Sequence, residues 1–526
     1  MVLLVLSVGL GVPGLLSAGV DTAWVRRYDG PAHGDDRATR IAVDTAGNVY
    51  VTGASMSDTG SNSQYLDFVT IKYLPNGDTA WVRRQDFGGK DIPYGLGVDA
   101  QGNVYVTGAN NDSRMATVKY SPSGVLLWSR LFGSQGGAFD LALDSGGHAV
   151  VCGTSYRSSV DRAVIKYLPN GDTAWVRYYD WAGYEDDARA IALGPSAGIA
   201  TTGAGYNGGT GSHYVTVTYD STGTMRWASA YSGPADWNIP EDVVTDLDGD
   251  VYVAGSSQGT LWDYLTIKYD SLGETLWTRR YDGPAHGWDK ASAVAVDSSG
   301  NAYVTGFSTG DSALYDYTTV KYSSSGQQCW VARYDGPGHL LDEAKAIAVM
   351  SSGDILVTGY ADDGSRDDCT TIMYDSAGHQ VWLDAYNSGN NDAGSAIALG
   401  PDGSFYVAGG AGGDLLVIKY AQKGVVAEEN HAPVASRLSL VAEPSVFRSR
   451  TSLNYSVGNS AKTRLLVFDT EGRHVRTLAN GVANLSAGTV TWDGRDVRGV
   501  RLPPGVYMVV LEAGGQRASV KAVVSE

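Results

Sequence analysis

Three carboxylates fall within five residues at Asp246-Leu247-Asp248-Gly249-Asp250. Alternating oxygen donors of this kind bind calcium, at about 2.3–2.6 Å from the ion. The downstream glutamate of an EF-hand loop is absent, and the equivalent segments elsewhere read TAGN or SSGN, which are ordinary hairpin turns. A surface calcium site therefore competes with a plain turn. A second set of acids stands at one fixed offset before a strand-like run: Asp36, Asp91, Asp186, Asp289, Asp342 and Asp392, with Gly136 and Asn238 in the other two copies. On a rim they would gather cations or sugar hydroxyls. Their regular recurrence favours a local role, each accepting backbone N–H groups of its own loop. Aromatic residues gather in the longest loops: Tyr65, Tyr156, Tyr206, Trp237, Trp262, Trp288 and Tyr315. Aromatic and acidic groups on one surface suit carbohydrate or peptide recognition. His33, His286 and His339 recur within YDGPAHG, YDGPAHG and YDGPGH. They would make a metal or acid–base site only if they converged. No HExxH, GxSxG or paired-carboxylate motif accompanies them, so they read as repeated surface loops.

These residues are carried by a repeat. Trp24, Trp81, Trp128, Trp175, Trp227, Trp277, Trp330 and Trp382 recur at intervals of 47 to 57 residues. Glycine stands four residues before seven of them, as at Gly77 and Gly124. Each repeat holds four strand candidates, in blade one RIAVD, NVYVTG, FVTIKY and TAWVRR. The second ends in glycine and the third in tyrosine eight times. Short strands at a period near 50 indicate a radial β-repeat. One tryptophan position in every copy indicates a packing problem shared by every copy, not a ligand site. The chain opens on a tryptophan strand and its last repeat stops after three strands, so the lone N-terminal strand fits as the missing fourth. The expectation is an all-β, eight-bladed β-propeller over residues 20–422, closed by strands from both ends; a seven-bladed ring with a stray blade is the alternative. Turns between strands one and two and between three and four are tight. The two variable loop classes share one rim, the expected functional face.

The repeat GNVYVTG…IKY…G…W resembles the bacterial secreted beta-propeller repeat (SBBP) family, a resemblance that implies a fold and no uniform activity. YDSTGTMRW (219–227) also resembles the tryptophan-docking repeat of eight-bladed quinoprotein dehydrogenases. After Tyr420 the pattern stops. Residues 423–437 read as a linker and 438–526 as alternating strands of a small immunoglobulin-like β-sandwich. Val467-Phe468-Asp469, Thr491-Trp492-Asp493-Gly494-Arg495-Asp496 and Pro504-Gly505-Val506-Tyr507 are similar to the C-terminal sorting domain of type IX secretion substrates and to the related domain of flagellar hook-capping proteins. That resemblance implies export through the secretion machinery.

Composition sets the remaining bounds. The net charge is −18; residues 431–526 hold 12 Lys+Arg against 7 Asp+Glu, or +5, which leaves −23 for the rest. Such a chain lacks the basic footprint of nucleic-acid binding. Residues 1–18 are apolar and uncharged and read as a signal peptide lacking its basic start; no later segment is apolar enough to span a bilayer, so none is expected in the mature chain. Cys152, Cys329 and Cys369 lie in separate strand-like runs and read as buried apolar residues. The function expected is a secreted or cell-surface, non-enzymatic propeller that binds an extracellular glycan or protein, with no cofactor unless calcium. A polysaccharide-acting lyase or hydrolase and a quinoprotein-like dehydrogenase are the alternatives. Either enzyme would need non-repeated acid and base residues converging at the channel mouth.

Overall fold

Alternating apolar residues and turn-forming glycines give strands throughout. The computed structural model describes residues 19–57, 65–111, 113–195, 198–209, 211–233, 235, 237–310, 314–422, 439–443, 446–456, 462–469, 473–482, 487–513 and 516–525. The expected signal peptide (1–18) and linker (423–437) lie outside the described residues. Among the described residues there is no α-helix, and no helix long and apolar enough to cross a membrane. The chain divides into two compact units, Met1–Val425 and Val426–Glu526.

The first unit is a β-propeller of eight four-stranded antiparallel sheets. The first blade joins Asp36–Val43, Val49–Met56, Leu66–Tyr73 and Thr79–Gln85 in sequence order. Blades two to seven repeat this over 92–132, 138–179, 190–231, 238–281, 289–334 and 342–386. The first strand of each blade is innermost: Asp36–Val43 touches both Ile92–Val98 of blade two and Asp392–Leu399 of blade eight, and the same neighbour contacts run round the ring. The eighth blade takes its outermost strand from the other end of the chain. Val20–Tyr28 pairs with Asp414–Gln422, from Val20 opposite Gln422 to Tyr28 opposite Leu415.

One interaction joins each blade to the next. The outermost tryptophan donates its indole N–H to a carbonyl in the following blade: Trp24 to Pro75, Trp81 to Pro122, Trp128 to Pro169, Trp175 to Ser221, Trp227 to Ser271, Trp277 to Ser324 and Trp330 to Ser376, all at 3.1–3.2 Å. Trp382 completes the circle on Val20 O, at 3.2 Å. The glycine of the accepting turn faces the indole. A Cβ on Gly171, whose φ is +85°, would stand 2.7 Å from the Trp128 ring. The tyrosine ending each third strand closes over the same indole, with centroids 5.0–6.4 Å apart. In five blades an arginine two residues after the tryptophan lies over its ring and donates to the glycine carbonyl, as Arg130 does to Gly171.

The innermost strand is longer than its hydrophobic pattern. The sequence points to Ile41–Asp44, but the strand begins at Asp36. The reason is a β-bulge: the register to the second strand shifts between Ala38 and Arg40, leaving Thr39 unpaired. Six other blades shift at the same place, leaving Tyr94, Phe139, Glu241, Ser292, Lys345 and Ser395 unpaired. Opposite each bulge lies the glycine that ends the second strand. A Cβ there would fall 1.9–2.2 Å from a carbonyl oxygen of the innermost strand, as Gly306 would against Lys290 O. Only glycine permits that approach.

The second unit has a three-stranded sheet of Ser439–Glu443, Thr451–Ser456 and Ala487–Trp492. Its other, five-stranded sheet orders Val446–Phe447, Gln516–Val524, Gly505–Ala513, Lys462–Phe468 and His474–Val482. Both sheets contribute to one core around fully buried Trp492, with Leu453, Leu465, Val509 and Leu511.

Deleting residues 19–28 removes both the fourth strand of blade eight and the Trp382 acceptor. The expected outcome is aggregation, or loss of the single cooperative transition in differential scanning calorimetry. An unchanged melting profile would show that closure does not depend on this strand.

Candidate functional site

Each bulge interrupts the in–out alternation and re-aims side chains toward the ring axis. Residues at the bulge and two positions earlier line a cavity of about 640 Å³ at the mouth of the central channel, with Arg37, Thr39, Tyr94, Glu241, Lys290, Glu343, Lys345 and Ser395 among them. Phe307 and Tyr360 join from the ends of second strands. The cavity therefore opens on the face that carries the long loops. Its size falls within the range of small-molecule sites. The lining also departs from the repeat. At the bulge position the residues are Thr39, Tyr94, Phe139, Arg189, Glu241, Ser292, Lys345 and Ser395, and no two adjacent blades agree.

The acids of the mouth are occupied. Arg189 bridges Asp187 at 3.1 Å and Glu241 at 3.0 Å. Lys345 stands 2.6 Å from Glu343, whose other oxygen accepts the Tyr360 hydroxyl at 2.9 Å. One residue past the bulge, Asp140 accepts the N–H of Leu141 and of Ile191 in the next blade. Asp242 does the same for Val243 and Val294. Burial raises both carboxyl groups above the usual carboxylate range, Asp242 to about 6, and Arg40 partly offsets the rise.

The cations are less engaged. Arg40 donates only to the Thr39 carbonyl and has no ion-pair partner among the described residues. Arg37 lies 3.7 Å from exposed Asp35. Lys290 has no ion pair among the described residues; its ammonium lies over the Trp262 ring at 5.0 Å and the Trp288 ring at 5.3 Å. This arrangement can bind and orient a ligand. Among the described residues, both carboxylates that line the cavity, Glu241 and Glu343, are paired with cations.

The residues singled out from sequence are distributed as follows. Trp262 and Trp288 flank Lys290 beside the cavity, and Tyr315 stacks on Phe307, with centroids 4.4 Å apart. Tyr206 and Trp237 form an edge-to-face pair between blades four and five. Tyr65 and Tyr156 are exposed in other loops. The six recurrent aspartates are buried. Asp36, Asp289, Asp342 and Asp392 start the innermost strand, Asp91 stands just before it and Asp186 four residues before it, and all six latch their own loops. Asp91 accepts Phe87 N–H at 2.6 Å, Asp186 that of Trp181 at 2.7 Å, Asp289 that of Gly283 at 2.6 Å, and Asp342 that of Gly336 at 2.5 Å. Asp36 accepts from Gly30, and Asp392 from Ser388. Asn238, the natural replacement, is also buried and donates to Ser212 O.

Asp246 accepts the N–H groups of Asp248 and Asp250 and the Tyr252 hydroxyl. Asp44, Asp99 and Asp297 make the same set of bonds in their own turns. The Lys268 ammonium lies 2.8 Å from Asp250 and 3.6 Å from Asp246, where a bound cation would otherwise stand. Blade four lacks this aspartate–tyrosine–lysine plug. Gly194, Ala200 and Thr218 take its positions, and a cavity of about 180 Å³ opens beside Trp227. Closer carboxylate groups occur on the long-loop face, within 4.8 Å at Asp67, Asp86 and Asp91; at Asp263, Asp282 and Asp289; and at Asp316, Asp335 and Asp342. Each already holds a guanidinium, from Arg84, Arg280 and Arg333 respectively.

His33, His286 and His339 are exposed on left-handed turns, each bonded to the aspartate four residues earlier, which raises its pKa. Cys152 and Cys369 are buried. Cys329 is exposed, contrary to expectation, because it occupies an outward position on an outermost strand. Sequence reasoning missed Arg37, Arg40, Arg189, Glu241, Glu343 and Lys345. The available signal was their failure to repeat at a position that does.

The model of the SBBP beta-propeller repeat family matches residues 24–58 and 80–109. No curated protein sequence matches the chain. Among solved structures, Sqt1 from Chaetomium thermophilum is 12% identical, with a TM-score of 0.51, covering 78% of this chain and 100% of its own. PorZ of Porphyromonas gingivalis, described as an essential bacterial surface component of the type-IX secretion system, is 14% identical with a TM-score of 0.40. That alignment covers 93% of this chain and 70% of PorZ. The likeness to Sqt1 concerns the fold alone.

The latch has a pH signature. Burial raises Asp342 to about 6, so the folded state binds this proton more tightly than the unfolded chain. Its stabilising contribution is full below the unfolded value of about 4 and is lost as pH rises through 6. Asp342 accepts from Gly336 and from Asp362, and Asp342→Asn, with a single acceptor oxygen, leaves one of these two N–H groups without its partner, at a cost of about 1–3 kcal/mol. Denaturant titrations of both proteins should show wild type most ahead near pH 4, with the gap narrowing toward pH 7. A gap independent of pH would contradict the raised value.

Proposed function

We propose that this chain is a secreted or cell-surface, eight-bladed propeller that binds an extracellular glycan or protein at the mouth of its central channel. Its immunoglobulin-like C-terminal sandwich would serve as the export signal, with the propeller proper spanning 20–422 and the sandwich 438–526. The observation that carries the binding reading is the cavity at the channel mouth. It is lined by the residues that break the repeat, on the face bearing the long loops and the Trp262 and Trp288 rings. A rigid ring that presents variable side chains at one opening is a common binding design. Binding is favoured over catalysis because Glu241 and Glu343, the carboxylates lining the cavity, are each held by a cation, and Asp140 and Asp242 by backbone N–H groups. The export reading is supported by the resemblance of 438–526 to sorting domains and by that unit's own core and positive charge.

Two experiments test the two halves. Full-length protein on glycan and peptide arrays should retain a ligand that Ser395→Trp, which plugs the mouth, weakens at least about tenfold without lowering Tm. Undiminished binding by the plugged protein would move the site elsewhere. In the native host, removing residues 431–526 should strand the protein inside the outer membrane. If truncated and full-length proteins reach the exterior equally on fractionation, the sandwich is not the export signal.

A further inference from the structure

Resting on that binding reading, we propose that the ligand of the channel mouth is an acidic glycan, a chain of sugars carrying carboxylates. The first argument is the charge balance. Outside residues 431–526 the chain carries −23, yet the charged residues lining the cavity are Arg37, Arg40, Lys290 and Lys345 against Glu241 and Glu343, while Asp140 and Asp242, bonded to backbone N–H groups, stand outside that lining. Both acids are consumed by cations, Glu241 by Arg189 and Glu343 by Lys345. Arg40 and Lys290 remain without ion pairs among the described residues, and Arg37 has only an exposed aspartate at 3.7 Å. Charges held in a concave, partly desolvated opening interact strongly with an incoming opposite charge. A carboxylate also matches the planar fork of a guanidinium.

The second argument is shape. The free cations do not stand alone on a polar wall. Lys290 lies against two indoles, and Phe307, stacked with Tyr315, lines the same cavity. A pyranose ring has a flat C–H face that packs on an aromatic ring, and a uronate carries its carboxylate at the ring edge. Flat apolar surfaces beside isolated cations fit that combination. An acidic peptide would use the cations and leave the rings idle. The opening has room for more than one sugar, since about 640 Å³ is that of a drug-sized site.

The test is calorimetric titration of the full-length protein with a tetragalacturonate and with its methyl ester, which keeps the rings and removes the charges. The acid should bind, and the ester at least about tenfold more weakly, the loss of one well-formed charge-assisted contact. Arg40→Gln and Lys290→Gln should each weaken the acid by a similar factor and leave the ester unaffected. Unchanged melting curves confirm that both variants fold, with Arg37→Gln as a third variant if either does not. If acid and ester bind equally and Ser395→Trp abolishes both, the mouth is a binding site and the acidic ligand is overturned. If an Asp/Glu-rich peptide binds more tightly than the uronate and is lost with Arg40→Gln, the anionic site is right and the glycan is wrong. If neither the uronate nor any array ligand responds to Ser395→Trp, both readings fall.

Discussion

The indole-to-carbonyl bond between neighbouring blades is the constraint on which the rest of the ring depends. Each tryptophan offers a single donor, and burying it unpaired would cost about 1–3 kcal/mol. Burying the indole surface, typically 150–250 Å², holds the outer edges of two blades together. The accepting glycine, the covering arginine and the closing tyrosine adapt the turn to the ring that must sit there. Because the bond passes from blade to blade in one direction, the ring fixes the angle between neighbours. The width of the axial opening follows from that angle.

What repeats was legible, and what does not repeat was not. Trp128 and Tyr167 answer the same packing demand as their seven counterparts, and Gly171 as its six, so one sequence contains seven or eight readings of each position. The recurrent aspartates could be recognised, and their latching role, from their regularity alone. The innermost strand was legible only from Ile41 onward. Before it, the bulge breaks alternation, and polar side chains face the channel, so neither a period of two nor apolarity marks residues 36–40 as strand. The same irregularity hid Arg37 and Arg40. The Asp246 segment stood out as acidic, but Lys268, which neutralises it, lies on another strand and becomes its neighbour only through folding.

The molecule thus separates two demands within single residues' reach. Glycines such as Gly306 accept a close backbone approach that no other residue tolerates, and in doing so hold the bulge. The bulge in turn presents, in seven blades, one residue that stands outside the paired register and whose side chain is free to differ from blade to blade. Chemistry can vary there from Lys345 to Ser395 without disturbing the ring. The outer tryptophans stay invariant while the inner wall diversifies. Blade four shows the opposite case, where small residues replace a structural plug and leave a void in its place.

The closing bond also sets an order in time. Val20, which accepts the last indole, and Trp382, which donates it, are 362 residues apart. Within the ring, the strand that leaves the ribosome first is therefore the last to find its partner. Throughout synthesis Val20–Tyr28 must wait while seven blades assemble behind it. Local hairpins within each blade form early, since their strands are adjacent in sequence, but the ring gains its final interface only when Asp414–Gln422 has emerged. Pairings across so long a span are slow, because the intervening chain must be confined before the contact repays it. For a ring of this design, the rate at which it becomes native is governed by its first and last strands meeting, and any partner that holds those strands apart keeps the ring open.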